Sequence, residues 1–541
     1  MEKKNLYFSM YGFLLARIHF KYYPEGEYLP SIHKLSELFG VSTMTVRGAL
    51  KLLEQDGYIS GAKNKRSVIL SQSEDSHREL PNEIIVQEAV LEDLYKSLEI
   101  IFPNAVYYSL SLCSEEDILM QQQILDKPAY AWDEPTVHFL AQLIKRLHNS
   151  LLMDLYYDAM LFSYPSYLAS LAKDQTRWQN VYHMLHDKLH NMLRMQEEGE
   201  TDALRNLIEQ VYQNFNPYSV SVDKDTVHDR PYRWGKPHVC FSVASELIRR
   251  IYLENYPAGT FLPSARKLAE EFSIPIITVR RAIVLLNNLG VTESINGKGT
   301  RSLLPEEGVK QVKWSDPIVR KNIMSYLESL HVLALTCRSM AAACFSLISK
   351  NERQRMKAEI IMAVNGNHYG VINYICTNAL ILASDRAALK TIYDQLFSLL
   401  IWGYPFSTLE PYLQMDDYAN RLIQSLDDGD SSLFEDTLEQ LITKIFLSSR
   451  EKAVSVGIEE ARVLTLPFCE TQSVPIFCKK IEINDHKKRV LQKSNPHCRR
   501  YQIPFQAVAK SLHLVSAAML YSFLQHPLLP FLFLLYDICL F

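Results

Sequence analysis

Residues 23–31 are Tyr-Pro-Glu-Gly-Glu-Tyr-Leu-Pro-Ser, and residues 256–264 are Tyr-Pro-Ala-Gly-Thr-Phe-Leu-Pro-Ser. The second stretch begins 233 positions after the first. At the same spacing, Thr45-Val46-Arg47 corresponds to Thr278-Val279-Arg280, and no gap is needed between the two copies. A repeat at a fixed spacing indicates an array of one structural unit, so the chain is predicted to contain the same small domain twice.

The residues around the first stretch predict three short helices. The segment from Phe8 to Phe20 has apolar residues at helical spacing, and Pro24 with Gly26 ends it. Ser31 is a natural N-cap for a second helix that reaches Phe39, because its hydroxyl can accept an amide of the first turn. Ser42 has the same role for a third helix, which runs to about Gln55.

Two short strands are expected next, between Tyr58 and Ile69, around a polar tip. Three helices with a tight turn between the second and third, followed by a β-hairpin, form a winged helix-turn-helix. The repeat predicts that the second copy folds in the same way.

Charge is distributed unevenly along this chain of 541 residues, whose net charge is −4. Residues 1–72 carry ten Lys and Arg against six Asp and Glu, and residues 237–303 carry eight against five. Residues 83–218 carry nine against twenty. Basic repeats separated by an acidic segment indicate that only the repeats meet a polyanion.

The predicted fold is mainly α with small β-wings: two winged helix-turn-helix domains alternate with two all-α helical domains. Polar linkers separate these regions, and a tail that is first basic and then strongly apolar follows them. The expected domains are residues 1–72 and 237–304 for the two winged units, 83–218 and 317–455 for the helical ones, and 456–541 for the tail.

The repeated motif resembles the GntR family of bacterial transcription regulators. The resemblance rests on Tyr-Pro-x-Gly-x-x-Leu-Pro-Ser, on the Lys-Leu that follows, and on Thr-Val-Arg in the third helix. It covers about 140 residues across the two copies. It implies a DNA-binding regulator whose third helix enters the major groove, where arginine can pair with guanine. The serine and lysine at the start of the second helix are expected at the phosphate backbone.

The two copies depart from the family pattern in different ways. The second keeps the family's arginine after Leu-Pro-Ser as Arg266, whereas the first has His33. The second also keeps a Gly-Lys-Gly wing at Gly297, whereas the first has Asn64 at that position. The predicted DNA-binding residues are Ser31, His33, Lys34, Thr43, Thr45, Arg47 and Lys65 in the first copy, and Ser264, Arg266, Lys267, Thr278, Arg280, Arg281, Gly297 and Lys298 in the second.

Each helical region ends in a pair of predicted helices, the first of them amphipathic. An acidic-Gly-acidic turn, around Gly199 or Gly429, joins the two. This resembles the ligand-sensing domain of FadR-type members of the family, in which an Asp and three histidines often hold a metal. The histidine positions are Tyr212, Asn420 and Lys444 here, and only His190 remains. We therefore expect no metal and no other cofactor, and an apolar pocket between helices as the place for any effector.

The segment from Ser511 to Phe541 is strongly apolar and follows a basic stretch. A membrane anchor is one interpretation. Pro527, Pro530 and Asp537 interrupt it, so a segment packed on the helical region, or a poorly ordered end, is favoured. The nine cysteines lack paired spacing and no secretory signal is evident, which predicts a cytoplasmic location.

We predict that the chain is not an enzyme and that double-stranded DNA is its partner. Each chain would bind paired half-sites with two recognition helices. A small-molecule effector and self-association are left open, and a membrane partner is not expected. The alternatives are a membrane-tethered or protein-binding descendant without operator recognition, and, less favoured, a fusion with a pyridoxal-phosphate enzyme. No phosphate-cradling glycine loop is visible for the latter.

Overall fold

The structure is a computed structural model of the chain. Contacts divide the chain into two units, Met1–Thr465 with Pro530–Phe541, and Leu466–Leu529. Apart from Leu466, all described residues belong to the first unit. The structure describes residues 6–19, 23, 25–38, 41–61, 66–70, 86–126, 133–214, 232–234, 239–252, 256–365, 372–407 and 415–466.

The first winged unit, called head 1, has the predicted order of elements. They are α1 (Leu6–His19), α2 (Ile32–Leu38), α3 (Thr43–Gln55), β1 (Ile59–Ser60) and β2 (Val68–Ile69). Ser42 caps α3 by accepting the Thr45 amide at 3.0 Å. The strands pair antiparallel, and Tyr28 bridges to Val68, so the turn before α2 is held against the hairpin.

The core of head 1 contains residues from outside it. Val46, Ala49 and Leu53 form the buried stripe of α3 and pack under α1. Leu161 and Tyr164, which follow head 1 in the chain by more than ninety positions, belong to the same buried cluster. Because a buried apolar cluster excludes water as one unit, head 1 is built onto the helical region that supplies these residues.

The described residues of the first helical region form six helices. They are α4 (Glu88–Ser111), α5 (Glu115–Leu125), α6 (Asp133–Lys145), α7 (Ser150–Lys173), α8 (Gln175–Glu198) and α9 (Thr201–Asn214). Ser114 and Asp117 form a capping box at the start of α5. Gly199 ends α8 with a φ of 71°, a left-handed conformation that glycine adopts without a Cβ penalty.

The second winged unit, called head 2, repeats the first. Its elements are α10 (Val239–Tyr252), α11 (Ala265–Glu271), α12 (Ile276–Asn288), β3 (Thr292–Ile295) and β4 (Gly299–Ser302), followed by α13 (Pro305–Gln311). Phe261 bridges to Arg301 at the positions equivalent to Tyr28 and Val68. Gly290 ends α12, and a Cβ there would lie 2.2 Å from the Gly308 carbonyl oxygen, so α13 packs closely on the end of α12.

The second helical region begins with a long helix. Its helices are α14 (Pro317–Cys344), α15 (Lys350–Asn365), α16 (Ile372–Ala383), α17 (Ala387–Leu399), α18 (Tyr404–Ser407), α19 (Asp416–Asp428) and α20 (Ser431–Ser455). Gly429 ends α19 with a φ of 69°, which matches Gly199 at the end of α8. A 3-10 turn, Glu459–Val463, packs on this region through the buried Ile458, Ala461 and Leu464.

Among the described residues, one helical stretch, Pro317–Leu347, is long and apolar enough to cross a membrane by length and composition. In the fold, 67% of its most apolar window is buried. It packs along α20 on one side and along α4 on another. The position of α14 between these helices accounts for its apolar composition.

The two helical regions contact one another through reciprocal helix caps. The Asp93 carboxylate on α4 accepts the amides of Ala387 (3.0 Å) and Ala388 (2.7 Å) at the start of α17. The Glu328 carboxylate on α14 accepts the Ser150 amide (3.1 Å) at the start of α7. A carboxylate at a helix N-terminus satisfies free amides and opposes the positive end of the helix dipole.

Buried polar groups complete the contact near Glu328. Asn149 donates to the Glu328 carbonyl at 2.8 Å and lies 3.2 Å from His331 Nδ1. Burial lowers the pKa of His331 to about 4. The ring is therefore neutral at pH 7, and its Nε2 donates to the Thr465 carbonyl at 3.1 Å. The polar groups in the contact are thus hydrogen-bonded, as burial requires.

Candidate nucleic-acid interface

The first turns of α2 and α11 present polar and basic side chains to solvent. Ser31 and Ser264 each accept the amide three residues on, at 3.2 Å and 3.3 Å, so both act as N-caps. The residues that follow them on the first turn are exposed: His33 and Lys34 in head 1, Arg266 and Lys267 in head 2. Arg266 is paired with Glu270 at 3.1 Å while 84% of its side chain remains accessible.

The third helix of each head exposes an arginine on the face opposite its buried stripe. In α3, Arg47 is exposed, whereas Val46 is fully buried. In α12, Arg280 and Arg281 are both exposed beside the buried Val279.

The predicted threonines are less accessible than these arginines. Thr43, Thr45 and Thr278 are half-buried. The Thr45 hydroxyl lies 2.9 Å from that of Ser42, so it takes part in the cap of α3.

Exposed apolar side chains share these faces, and they are not among the residues predicted from the sequence to bind DNA. Met44 in α3 is 70% exposed, and Ile277, its equivalent in α12, is 52% exposed. Val284 in α12 is 56% exposed. The repeat contains a signal for Met44 and Ile277, because the two residues align on the predicted outer face of the third helix and are apolar in both copies. Exposed apolar residues that cluster on a surface indicate a binding site.

Both wings carry basic residues. In head 2, Gly297 has a φ of 74° and Lys298 is exposed in the tight turn that joins β3 to β4. The turn is closed by the Ile295 carbonyl, which accepts the Lys298 amide at 3.0 Å. In head 1, Lys65 lies outside the described residues, while Arg66 is exposed at the start of the returning segment.

Head 1 is joined to the first helical region by a buried arginine. Arg17 on α1 donates from Nε to the Tyr164 hydroxyl on α7 at 2.9 Å. Its guanidinium lies 5.1 Å from the Tyr164 ring centroid and 4.9 Å from that of Phe13. A cation held between aromatic faces away from water is strongly stabilised, so this contact fixes α1 on α7.

Tyr164 also lines a cavity of about 200 Å³ inside the first helical region. The cavity is surrounded mainly by aromatic and aliphatic side chains from α4, α6, α7, α8 and α9, among them Phe102, Leu140, Tyr156, Trp178, Leu189 and Tyr212. No Asp, Glu, Lys, Arg or His is among its lining residues in the described structure. Burial raises the pKa of Tyr212, so its hydroxyl stays protonated.

The residues that replace the expected metal-binding histidines have other surroundings. Tyr212 is part of the cavity wall. The Lys444 ammonium lies 5.3 Å from the ring centroid of Tyr418, and Asn420 is exposed on α19. His190 does not line the cavity.

Comparison with known proteins assigns a family to the two heads. Residues 6–69 and 242–301 match the bacterial regulatory proteins of the gntR family. Over 70 residues the chain is 37% identical to the HTH-type transcriptional regulator TreR of Bacillus subtilis strain 168, a match that covers 13% of this chain and 29% of TreR. Over 112 residues it is 25% identical to the uncharacterized HTH-type transcriptional regulator YhcF of the same organism, which covers 21% of this chain and 90% of YhcF.

Two solved structures also show similarity to the chain. A structure described by the words "Lar controls the expression of the Listeria monocytogenes agr system and mediates virulence" is 18% identical, with a TM-score of 0.23, over 41% of this chain and 100% of the other. Streptococcus agalactiae GntR is 16% identical, with a TM-score of 0.19, over 38% and 98%. The predicted mainly helical fold with small β-wings is confirmed by the elements of the chain itself.

Proposed function

Both heads are winged helix-turn-helix domains of the gntR family of bacterial regulatory proteins, and from this premise we propose that one chain binds two half-sites of an operator. The chain would act as a transcription regulator whose two halves take the place of the two subunits of a dimer. A small ligand in the cavity of the first helical region would modulate binding by head 1.

The observation that carries this proposal is the contact between the two helical regions. The carboxylates of Asp93 and Glu328 cap the start of a helix in the opposite region, α17 and α7 respectively. An interface in which each side offers the same kind of group to the other is typical of a twofold dimer. Here the two sides belong to one chain, so the second head is supplied at a high effective concentration.

The heads are expected to prefer different bases. Arg280 and Arg281 give head 2 two exposed guanidinium groups where head 1 offers Arg47, and arginine pairs with guanine in the major groove. Ile277 and Met44 are apolar and exposed at equivalent positions, where they can contact the methyl group of thymine. The preferred operator should therefore combine two unlike half-sites.

The phosphate contacts are proposed for the serine and the lysine at the start of α2 and of α11, and for one lysine in each wing. They comprise Ser31, Lys34, Ser264, Lys267 and, at the wings, Lys65 and Lys298. Charges that neutralise phosphates release counterions, so affinity for every DNA sequence should fall steeply with salt.

The ligand of the cavity should be small, uncharged and mostly apolar. The lining residues carry no ionised side chain, and an anion or cation enclosed there would lose its hydration without a partner. A cavity of about 200 Å³ suits a compact ring or a short branched chain. Tyr164 lines the cavity and accepts a hydrogen bond from Arg17. A ligand that moves Tyr164 would therefore disturb the contact between head 1 and the first helical region.

The test combines selection and stoichiometry. Purified full-length chain selects fragments from a random DNA pool, and sedimentation of the complex then counts chains per duplex. One chain protecting two unlike half-sites is the expected result. Two chains on a symmetric palindrome would reject the single-chain arrangement, and the absence of any enriched sequence would reject operator recognition.

A further inference from the structure

Three side chains able to bind a metal meet at the end of α5, among the residues that the structure describes. His186 and His190 lie one turn apart on α8, and Asp126 directly follows α5. One ligand atom from each lies within 4.8 Å of the other two. His190 Nε2 is 3.3 Å from Asp126 Oδ1, and the two imidazole rings are 4.5 Å apart between centroids.

Residues four apart on a helix lie on one face, so His186 and His190 can direct their rings to a common point. Four ligand atoms at about 2.0–2.1 Å around a tetrahedral ion are about 3.3–3.4 Å from one another. The separation of His190 Nε2 and Asp126 Oδ1 is already of this size. The ligand nitrogen of His186 lies within 4.8 Å of both, and it would have to approach them to complete the triangle.

The end of α5 adds a negative environment. The last carbonyls of a helix have no partner within it, and they carry the negative end of the helix dipole. His186 Nε2 lies 3.3 Å from one of these, the Leu125 carbonyl oxygen. A cation between α5 and α8 would therefore face a carboxylate, two imidazoles and a carbonyl dipole.

We propose that Asp126, His186 and His190 bind one divalent transition-metal ion, with Zn²⁺ as the favoured case. Two imidazoles and one carboxylate suit zinc, copper and nickel more than magnesium or calcium, which prefer oxygen ligands. Three protein ligands leave the fourth position to water. This proposal does not rest on DNA binding or on the cavity ligand.

The proposal reverses the expectation from the sequence that the chain binds no metal, and the site differs from the one that the family resemblance implied. Tyr212 stands at one of those histidine positions and lines the cavity, whereas neither His186 nor His190 does. Leu185 and Leu189, on another face of α8, form part of the cavity wall. The ion therefore would not hold the cavity ligand. It would tie α8 to the end of α5 and stabilise the helix that forms the wall.

The test is a titration of the full chain with Co²⁺, followed by displacement with Zn²⁺. Nitrogen and oxygen ligands give visible d–d bands without a sulfur-to-cobalt charge-transfer band, so cysteine sites elsewhere in the chain are distinguished. The variants are Asp126→Asn and the double variant His186→Gln with His190→Gln. His183→Gln is the matched control, because His183 is exposed on the same helix and lies outside the cluster.

The wild-type chain and the control should bind one equivalent with these bands and gain thermal stability from Zn²⁺ that a chelator reverses. The double variant should lose affinity by more than about 100-fold, since loss of outer-shell partners alone costs 10–100-fold. Asp126→Asn should weaken binding less. Equal binding by the double variant and the wild type, with both folded by circular dichroism, would overturn the proposal, and so would a wild-type chain without these bands.

Discussion

Equivalent arginines of the two heads make different contacts. Arg17 and Arg250 are separated by the repeat spacing of 233 residues and lie at the same place in α1 and α10. Arg17 is buried against Tyr164 of the helical region. Arg250 pairs within head 2, with Glu246 at 2.8 Å and with Glu271.

The neighbours explain the divergence. Glu246 occupies in head 2 the position of Phe13 in head 1, so the arginine of α10 has a carboxylate on its own helix where that of α1 has a ring. The Arg250 guanidinium also lies 4.8 Å from the ring centroid of Phe272, within head 2. The described partners of Arg250 all lie within head 2, whereas Arg17 also donates a hydrogen bond to Tyr164, outside head 1. Head 1 is therefore joined to the first helical region by a contact that the equivalent arginine of head 2 does not make among the described residues.

The largest expected effect comes from removing each arginine in turn. Arg17→Ala should destabilise head 1 by about 2–4 kcal/mol, because a buried cation–π contact and a hydrogen bond are lost and a cavity remains. Arg250→Ala should cost about 1 kcal/mol, the usual scale for ion pairs near the surface. Hydrogen exchange of the α1 and α10 amides in the full chain measures the two losses separately.

Arg17→Met is the control for packing, since it keeps most of the side-chain volume without the guanidinium. The stability of head 1 in Arg17→Met should lie between those of the wild type and Arg17→Ala. Equal protection losses in α1 and α10 for the two alanine variants would remove the distinction between the heads.

A second effect concerns the recognition helices. Arg280→Ala should weaken binding to the selected operator by about 1–3 kcal/mol, the scale of one bidentate contact with guanine. Arg47→Ala should cost less, because head 1 keeps fewer of the family's base-reading groups. Titrations of both variants at one salt concentration check the order. Equal losses would contradict the proposed inequality of the heads.

The smallest effect tests the apolar face. Ile277→Ala should cost about 1 kcal/mol on a half-site with thymine, near the value of one or two buried methyl groups. Replacing that thymine by deoxyuridine removes the methyl group from the DNA instead. The two changes together should cost little more than either alone, as expected for a direct contact. Met44→Ala, measured in the same way on the head 1 half-site, is the matched variant. Fully additive losses of affinity for Ile277→Ala and the deoxyuridine replacement would exclude the contact.

The heads were predictable because their signals are local. Proline and glycine at fixed places, the Ser42 cap and the buried stripe through Val46 and Leu53 act within a few residues, and α2, α3 and the strands lie where these signals placed them. The repeat then transferred each assignment to head 2, whose helices α11 and α12 keep the same spacing. Family membership of both heads follows from the same residues.

Tertiary structure alone decided what surrounds each side chain. Arg17 meets Tyr164 across 147 positions, and the Asp126 carboxylate meets His190 through the packing of α5 on α8. No local pattern encodes such pairs, because they depend on how the helices pack. The sequence by itself determined two DNA-binding folds in one chain. Packing decided that Arg17 of head 1 contacts Tyr164 in the wall of the cavity. Only the burial of both side chains between packed helices brings them together beside the cavity.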